Sequence, residues 1–352
     1  MAIALLVFVL LWLVPRLRLR YHQAMARRTA TRPPEPGLVP KEQQDTTRSG
    51  PDPVLDVALA AGRAGDWLPA AQLLADTGDD PILRDRRAEW LGKLAAWDNT
   101  FLKAWQKERP DDPTAALVEA HGLVGLAWKR RGGHYARSTT PQQIEGFFTV
   151  LTQARTAAAR SVQLAPEDPC ARMPELWVGI GFRYSHQDFA TMWAQIDQRA
   201  PHHFQAHSAA LQYLCAKWHG SGELANGFAA NAAAGAPLGS LLRSLPLISW
   251  YEHNGLHGVK RAGYRASYLV TRVDALLADV AAARPDHPQL PEARHLLAYF
   301  LYKQGRFQES AEQFRLVDGW VDALPWRYEA DPAESFVVMR NRAIKRALRR
   351  AK

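Results

Sequence analysis

Three times the chain leaves an alanine-rich, helix-forming stretch and enters Pro-acidic-x-Pro: Arg109-Pro110-Asp111-Asp112-Pro113, Ala165-Pro166-Glu167-Asp168-Pro169 and Arg284-Pro285-Asp286-His287-Pro288. Proline lacks the amide proton that a helix interior needs, and its ring clashes with the preceding turn. An acidic residue just before proline is suited to cap and open the next helix. This punctuation therefore predicts an all-α chain of successive helical hairpins. The three turns lie 56 and 119 residues apart, so the hairpins do not recur at one fixed repeat length.

The spacing of apolar residues agrees. Leu117, His121, Val124 and Trp128 form one stripe of a helix over 113–131, and Phe147, Leu151, Ala154, Ala158, Ser161 and Ala165 form another over 144–165. Arg131-Gly132-Gly133 ends the first and Thr140-Pro141 opens the second. Further amphipathic stretches fall near 186–199, 204–216, 222–235, 266–283, 289–304 and 307–318. No sustained Val/Ile/Thr alternation suggests a sheet.

The N-terminus reads differently. Residues 1–14 are apolar throughout, followed by Pro15, Arg16, Arg18 and Arg20. This run is shorter than the roughly 20 residues of a typical span, but Leu17 and Leu19 can extend it while the arginines snorkel. Charges follow the apolar core, whereas a signal peptide places them before it. The reading is a single-pass membrane anchor over 1–20 with the rest of the chain cytoplasmic, because positive flanks stay inside. A cleaved or mis-assigned leader and a buried core helix are the alternatives. Residues 21–53 follow as a basic and then Pro-rich segment, read as a flexible linker. Residues 54–330 are the helical repeat-like body, and 331–352 a basic terminal helix.

Charge is distributed to match. The chain carries +9, of which residues 1–50 contribute +5 and residues 340–352 contribute +7, leaving the body at −3. A mildly acidic body argues against a nucleic-acid-binding face. Basic termini suit an anionic membrane surface, which makes Arg16, Arg18, Arg20, Arg340, Lys345 and Arg349 candidates for lipid contact. In the terminal helix, Val337, Ile344 and Leu348 line one side, and a terminal helix capping its own negative end is the competing explanation. The two cysteines, Cys170 and Cys215, have no disulfide or metal spacing.

Candidate chemistry is sparse. His202, His203 and His207 cluster, and His253 and His257 stand four apart, but no acidic residue joins them as a metal set. His121 lies on an apolar stripe and reads as a hydrogen-bonded core residue. In Trp218-His219-Gly220-Ser221, Ser221 could be imagined as a nucleophile beside His219, yet a turn plus helix N-cap explains each residue type. No phosphate-binding glycine loop occurs, and no catalytic, cofactor or metal residue is assigned.

Residues 290–318 resemble a tetratricopeptide repeat: Leu297-Ala298 on its first helix, Gly305 in the turn, and Phe307, Ala311, Phe314 and Val317 on its second, with Ser310 where the family has alanine. Arg160-Ser161-Val162-Gln163-Leu164-Ala165-Pro166 is similar to the end of such a repeat. Trp128-Lys129-Arg130-Arg131-Gly132, Pro166-Glu167-Asp168-Pro169 and Lys217-Trp218-His219-Gly220-Ser221 resemble a bacterial tetratricopeptide-like family of unknown function, with His219 replacing a glycine. The resemblance implies an irregular tetratricopeptide-like solenoid, and such folds bind extended protein or peptide partners. Trp128, Arg131, Lys217, Trp218 and Ser221 are the candidate partner-binding residues. A helical enzyme using distant His and Glu residues is the alternative function.

Overall fold

The computed structural model describes residues 31–132, 139–255 and 259–350. Among them the chain is all-α: sixteen helices, no strand, and one isolated parallel bridge between Asp45 and Trp320. The proposed anchor over 1–20, with Arg16, Arg18 and Arg20, lies outside the described residues, as do His257 and Lys352. No described helix is long and apolar enough to cross a membrane.

The chain divides into two compact units. The larger comprises Asp52–Gly258 with Ala278–Leu290. Its helices are α1 (Pro53–Arg63), α2 (Leu68–Ala75), α3 (Pro81–Trp97), α4 (Thr100–Glu108), α5 (Pro113–Arg131), α6 (Pro141–Leu164), α7 (Met173–Phe182), α8 (His186–Arg199), α9 (Phe204–Leu214), α10 (Gly222–Gly235) and α11 (Leu245–His253). Two of the three Pro-acidic-x-Pro turns cap through the acid before their second proline, whereas in the third His287 Nδ1 accepts from Gln289 N–H at 3.1 Å. The Asp112 carboxylate accepts from Thr114 N–H at 2.8 Å, opening α5, and Asp168 accepts from Cys170 N–H at 2.8 Å in the 3-10 turn before α7. Thr140 and Gln143 form a reciprocal capping box at the start of α6.

Small residues let these helices approach closely. A Cβ on Gly92 of α3 would stand 2.7 Å from the Gly122 amide nitrogen of α5, so only glycine fits that crossing. Leu91, Phe101, Trp105, Leu117 and Val118 fill one core, with Trp67 stacked on Trp105 at 5.5 Å. His121 is buried as expected, its Nε2 3.0 Å from Asp85 Oδ1.

Among the described residues the smaller unit comprises 31–51, 259–277 and 291–350. It draws on α12 (Arg261–Tyr264), most of α13 (Ser267–Ala282), most of α14 (Leu290–Gln304), α15 (Phe307–Leu316) and α16 (Pro332–Arg350). Helices α14 and α15 form a hairpin whose turn holds Gly305 at φ +88°, a left-handed conformation that favours glycine. Ser310 donates to the Ala298 carbonyl at 2.8 Å across that hairpin. Phe336 meets Phe314 and Trp326 edge-on with centroids 5.3 and 5.5 Å apart, and Phe314 lies tilted to Trp326 at 5.9 Å.

Residues 32–51, expected as part of a flexible linker, are instead bound into the smaller unit. Val39 N–H donates to Asp318 Oδ2 at 2.7 Å, and the buried Gln44 amide donates to Asp318 Oδ1 at 3.0 Å and accepts from Gly319 N–H at 3.0 Å. The segment has little apolar surface, but its backbone and amide groups find buried polar partners, which composition alone does not show.

Arg340 is the second departure. It was assigned to a membrane surface, but the structure buries it completely. Its guanidinium pairs with Asp318, donates to the Val39 carbonyl at 2.8 Å and reaches Asn341 Oδ1 at 3.1 Å. Ala333, Phe336, Val337, Ala343, Ile344 and Ala347 are buried around it on α16, together with polar Asn341, so Arg340 sits in the buried stripe at regular helical spacing. Lys345 and Arg349 lie on the exposed side.

Candidate functional site

The last turn of α5 carries Trp128, Lys129, Arg130 and Arg131 at the negative end of a 19-residue helix, where cations are favoured. The turn after α9 brings Trp218 against it. Trp128 meets Trp218 edge-on at 5.2 Å, Trp177 of α7 at 6.0 Å and Phe147 of α6 at 5.1 Å. The Arg131 guanidinium lies 4.9 Å from the Trp218 ring centroid and 5.7 Å from that of Trp128. Partial burial lowers the Arg131 pKa from its ordinary value. At the same helix end Lys129 lies 5.2 Å from the ring of Trp97, which is 82 % exposed, and Lys129 and Arg130 are exposed.

Trp128, Arg131 and Trp218, distant in sequence, thus meet in one aromatic–guanidinium stack. Lys217 and Ser221 serve other partners. Lys217 Nζ pairs at 2.7 Å with Glu252 of α11, whose buried carboxylate also accepts from Gln212 at 3.0 Å. Ser221 Oγ accepts from Leu224 N–H at 3.1 Å and caps α10. His219 donates from Nε2 to the Ile180 carbonyl at 2.9 Å, so it does not activate Ser221. Gly220 permits the turn itself: a Cβ there would lie 2.0 Å from the Leu214 carbonyl oxygen.

Glu252, Trp97, Phe147 and Trp177 are site residues that sequence reading missed. A lone acid in the otherwise apolar Leu245–His253 stretch was the available signal for Glu252. Trp97 has none, since its exposure depends on tertiary packing.

The larger unit also gathers buried polar groups. Cys170 Sγ and His203 Nε2 both donate to the Pro81 carbonyl at 3.2 Å, and Arg84 pairs with Asp168 at 3.1 Å. Burial, reinforced by the charges of Asp85 and Asp168, pushes the Cys170 thiol well above its ordinary pKa, and burial pushes Cys215 up to about 12. Burial also lowers the pKa of His203, which keeps its ring neutral. A protonated, buried thiol beside a neutral imidazole is a poor nucleophile pair. His203 and His207, expected as surface or capping histidines, are both buried; the Ala206 amide reaches His203 Nδ1 at 3.4 Å as a cap of α9. Among the described residues no three His, Cys, Asp or Glu side chains are grouped to hold a metal ion.

No family model matches the chain, and no curated protein or solved structure matches it.

Proposed function

We propose that the protein is a helical-repeat scaffold whose larger unit binds a protein or peptide partner at the C-terminal end of α5. The stack of Arg131 on Trp128 and Trp218 carries this reading. Tryptophan and arginine are the side chains most often found at binding hot spots, because each offers large contact area and a polar handle. Lys129, Arg130 and the exposed Trp97 extend the same chemistry, which fits an acidic segment bearing an apolar anchor. An irregular tetratricopeptide-like solenoid is the fold class proposed for this role.

Placement at a membrane is part of the proposal. The apolar run 1–14 followed by Arg16, Arg18 and Arg20 would anchor the chain with its body in the cytoplasm, and exposed Lys345 and Arg349 would add attraction to anionic lipid. The alternative, a helical enzyme, draws less support, because the described Cys and His groups that gather are buried and unreactive in character.

Co-purification of the full chain from gently solubilised membranes tests the scaffold. A stoichiometric partner should be retained by the parent and by Lys103→Glu, an exposed change elsewhere, and lost with Trp97→Ala/Lys129→Glu/Arg131→Glu. Retention by the triple variant removes the α5 end from the interface. For the anchor, the full chain should resist alkaline extraction, and release with an intact N-terminus would reject it.

A further inference from the structure

A cleft of about 300 Å³ opens in the larger unit, at the small end of the range for ligand sites. It is lined by Trp193 and Asp197 of α8, His202 in the following turn, His207 of α9, and Phe228 and Asn231 of α10. Three of these side chains are packed rings. Trp193 stands edge-on to His207 at 4.8 Å and to Phe228 at 5.5 Å, and His207 is 5.8 Å from Phe228. The rings are too close to hold an ion between them, so a ligand would rest against the side they present to the cleft. Asp197 is the charged group of the lining, which contains no lysine or arginine among the described residues, and aromatic rings attract cations at their faces.

The histidine adds direction. His207 Nδ1 lies 3.0 Å from the His203 carbonyl oxygen, which can only accept, so Nδ1 carries the proton. In the neutral ring Nε2 is then an acceptor. Burial lowers the His207 pKa and holds the ring in that neutral form. The cleft thus offers a carboxylate, an imidazole acceptor and the Asn231 amide beside aromatic side chains, a set that matches a cation with N–H donors better than a quaternary one.

We propose that this cleft binds an alkylammonium ion carrying N–H donors, either a free amine or a lysine side chain. Asp197 neutralises the charge, His207 and Asn231 accept from the ammonium, and Trp193 and Phe228 cover its alkyl chain.

The full chain in a neutral detergent can be titrated with n-butylammonium and with Nα-acetyl-lysinamide, following the Trp193 indole N–H by NMR alongside calorimetry. Trp193→Phe assigns the signal. Saturable binding of either probe supports the site, and the tighter of the two identifies its source. n-Butanol, the neutral isostere, should bind at least about tenfold more weakly, and Asp197→Asn should weaken the ammonium by about tenfold while leaving the helical spectrum unchanged. Phe228→Leu should weaken it a few-fold, and Asn231→Ala, at an exposed position, serves if Phe228→Leu does not fold. Equal binding of butanol, tetramethylammonium binding more tightly than butylammonium, an unaffected Asp197→Asn variant, or no saturation by either probe would each overturn the assignment.

Discussion

Both units hold buried carboxylates paired with a base, Glu252 with Lys217 and Asp279 with Arg243 in the larger and Asp318 with Arg340 in the smaller, but they differ in how the chain is brought together around them. In the larger, helices α3 and α5 meet through bare backbone at Gly92 and Gly122, and alanines such as Ala115, Ala154 and Ala158 keep the packing close. Its fold comes almost entirely from one continuous run, 52–258. The smaller unit is assembled from three separated segments, and an ion pair between fully buried Arg340 and largely covered Asp318 ties the first of them to the last. Close apolar packing tolerates little change in volume but has no charge to lose. A buried ion pair is the reverse: its net contribution as a pair is small, yet removing one partner strands the other charge. Sequence-local packing and long-range polar specificity therefore fail in different ways, and each can be broken separately.

The largest effect should come from the ion pair. Arg340→Ala removes the counter-charge of the largely covered Asp318, which keeps only Val39 N–H and the Gln44 amide as donors, and should cost about 3 kcal/mol by denaturant unfolding. Hydrogen exchange should accelerate in 32–45 and 332–350, while amides of α3 and α5 remain protected. Arg340→Met/Asp318→Leu should recover much of the loss; a double variant as unstable as Arg340→Ala would mean that Val39 and Gln44, not the charge, dominate.

Acid should act next, and on both units. His295 in the smaller unit is fully buried, accepts from Trp326 Nε1–H at 3.1 Å, and has its pKa lowered by burial to about 3. Between that value and the ordinary 6.5 the unfolded chain binds the extra proton, so stability is fully present above about 6.5 and is lost as pH falls toward 3. At pH 4 this one group should remove roughly 3 kcal/mol. His203, His207 and His287 of the larger unit are shifted in the same direction by burial. Unfolding free energies from pH 8 to 4 should therefore fall with a steepening proton uptake; a flat profile would show that these rings are protonated in the folded state.

A smaller change sharpens the contrast inside the larger unit. Gly92→Ala must push α3 off α5 and should cost about 1–3 kcal/mol by thermal melting. Gly125→Ala, on the same α5 but with open space around the added methyl, should be stabilising by up to about 1 kcal/mol. Equal effects at the two sites would remove the close-approach argument. Least of all, Ser221→Ala should cost about 1 kcal/mol through the lost cap of α10. Stability unchanged but partner retention abolished would instead place Ser221 in the interface.

Legibility in the sequence followed the same divide. Helices α5, α8 and α10 fall at the expected bounds, because proline, capping residues and an apolar stripe act within a few residues of one another. Helices α7 and α11 did not stand out as amphipathic, since Met173–Ile180 and Leu245–Glu252 are buried nearly all round and show no polar face. At the site, Trp128 and Trp218 were legible as unusual residues, but their meeting depends on how α5, α7 and α9 pack. Arg340 was misread because charge was weighed ahead of position: it falls three residues after Val337 and four before Ile344, inside the stripe that those two define. The partner that makes its burial tolerable, Asp318, lies 22 residues away in a turn. The anchor over 1–20 stays a proposal of the sequence alone.

The polar node around Asp318 also has a mechanical meaning. Val39 is held through both its N–H and its C=O, Gln44 through both ends of its amide, and Asp45 N–H donates to the Gly319 carbonyl at 2.8 Å while its own carbonyl accepts from Val321 N–H at 2.7 Å. These fastenings lie within seven residues of one another. A pull entering the chain at residue 31 would first load Arg32, whose carbonyl accepts from Asn341, and Glu35, paired with Arg315, and only then these fastenings, so the strap would open in steps from its N-terminal end. Tension arriving from the N-terminal side would be borne by α16, the end of α15 and the 318–321 turn, the part of the molecule built from long-range polar contacts.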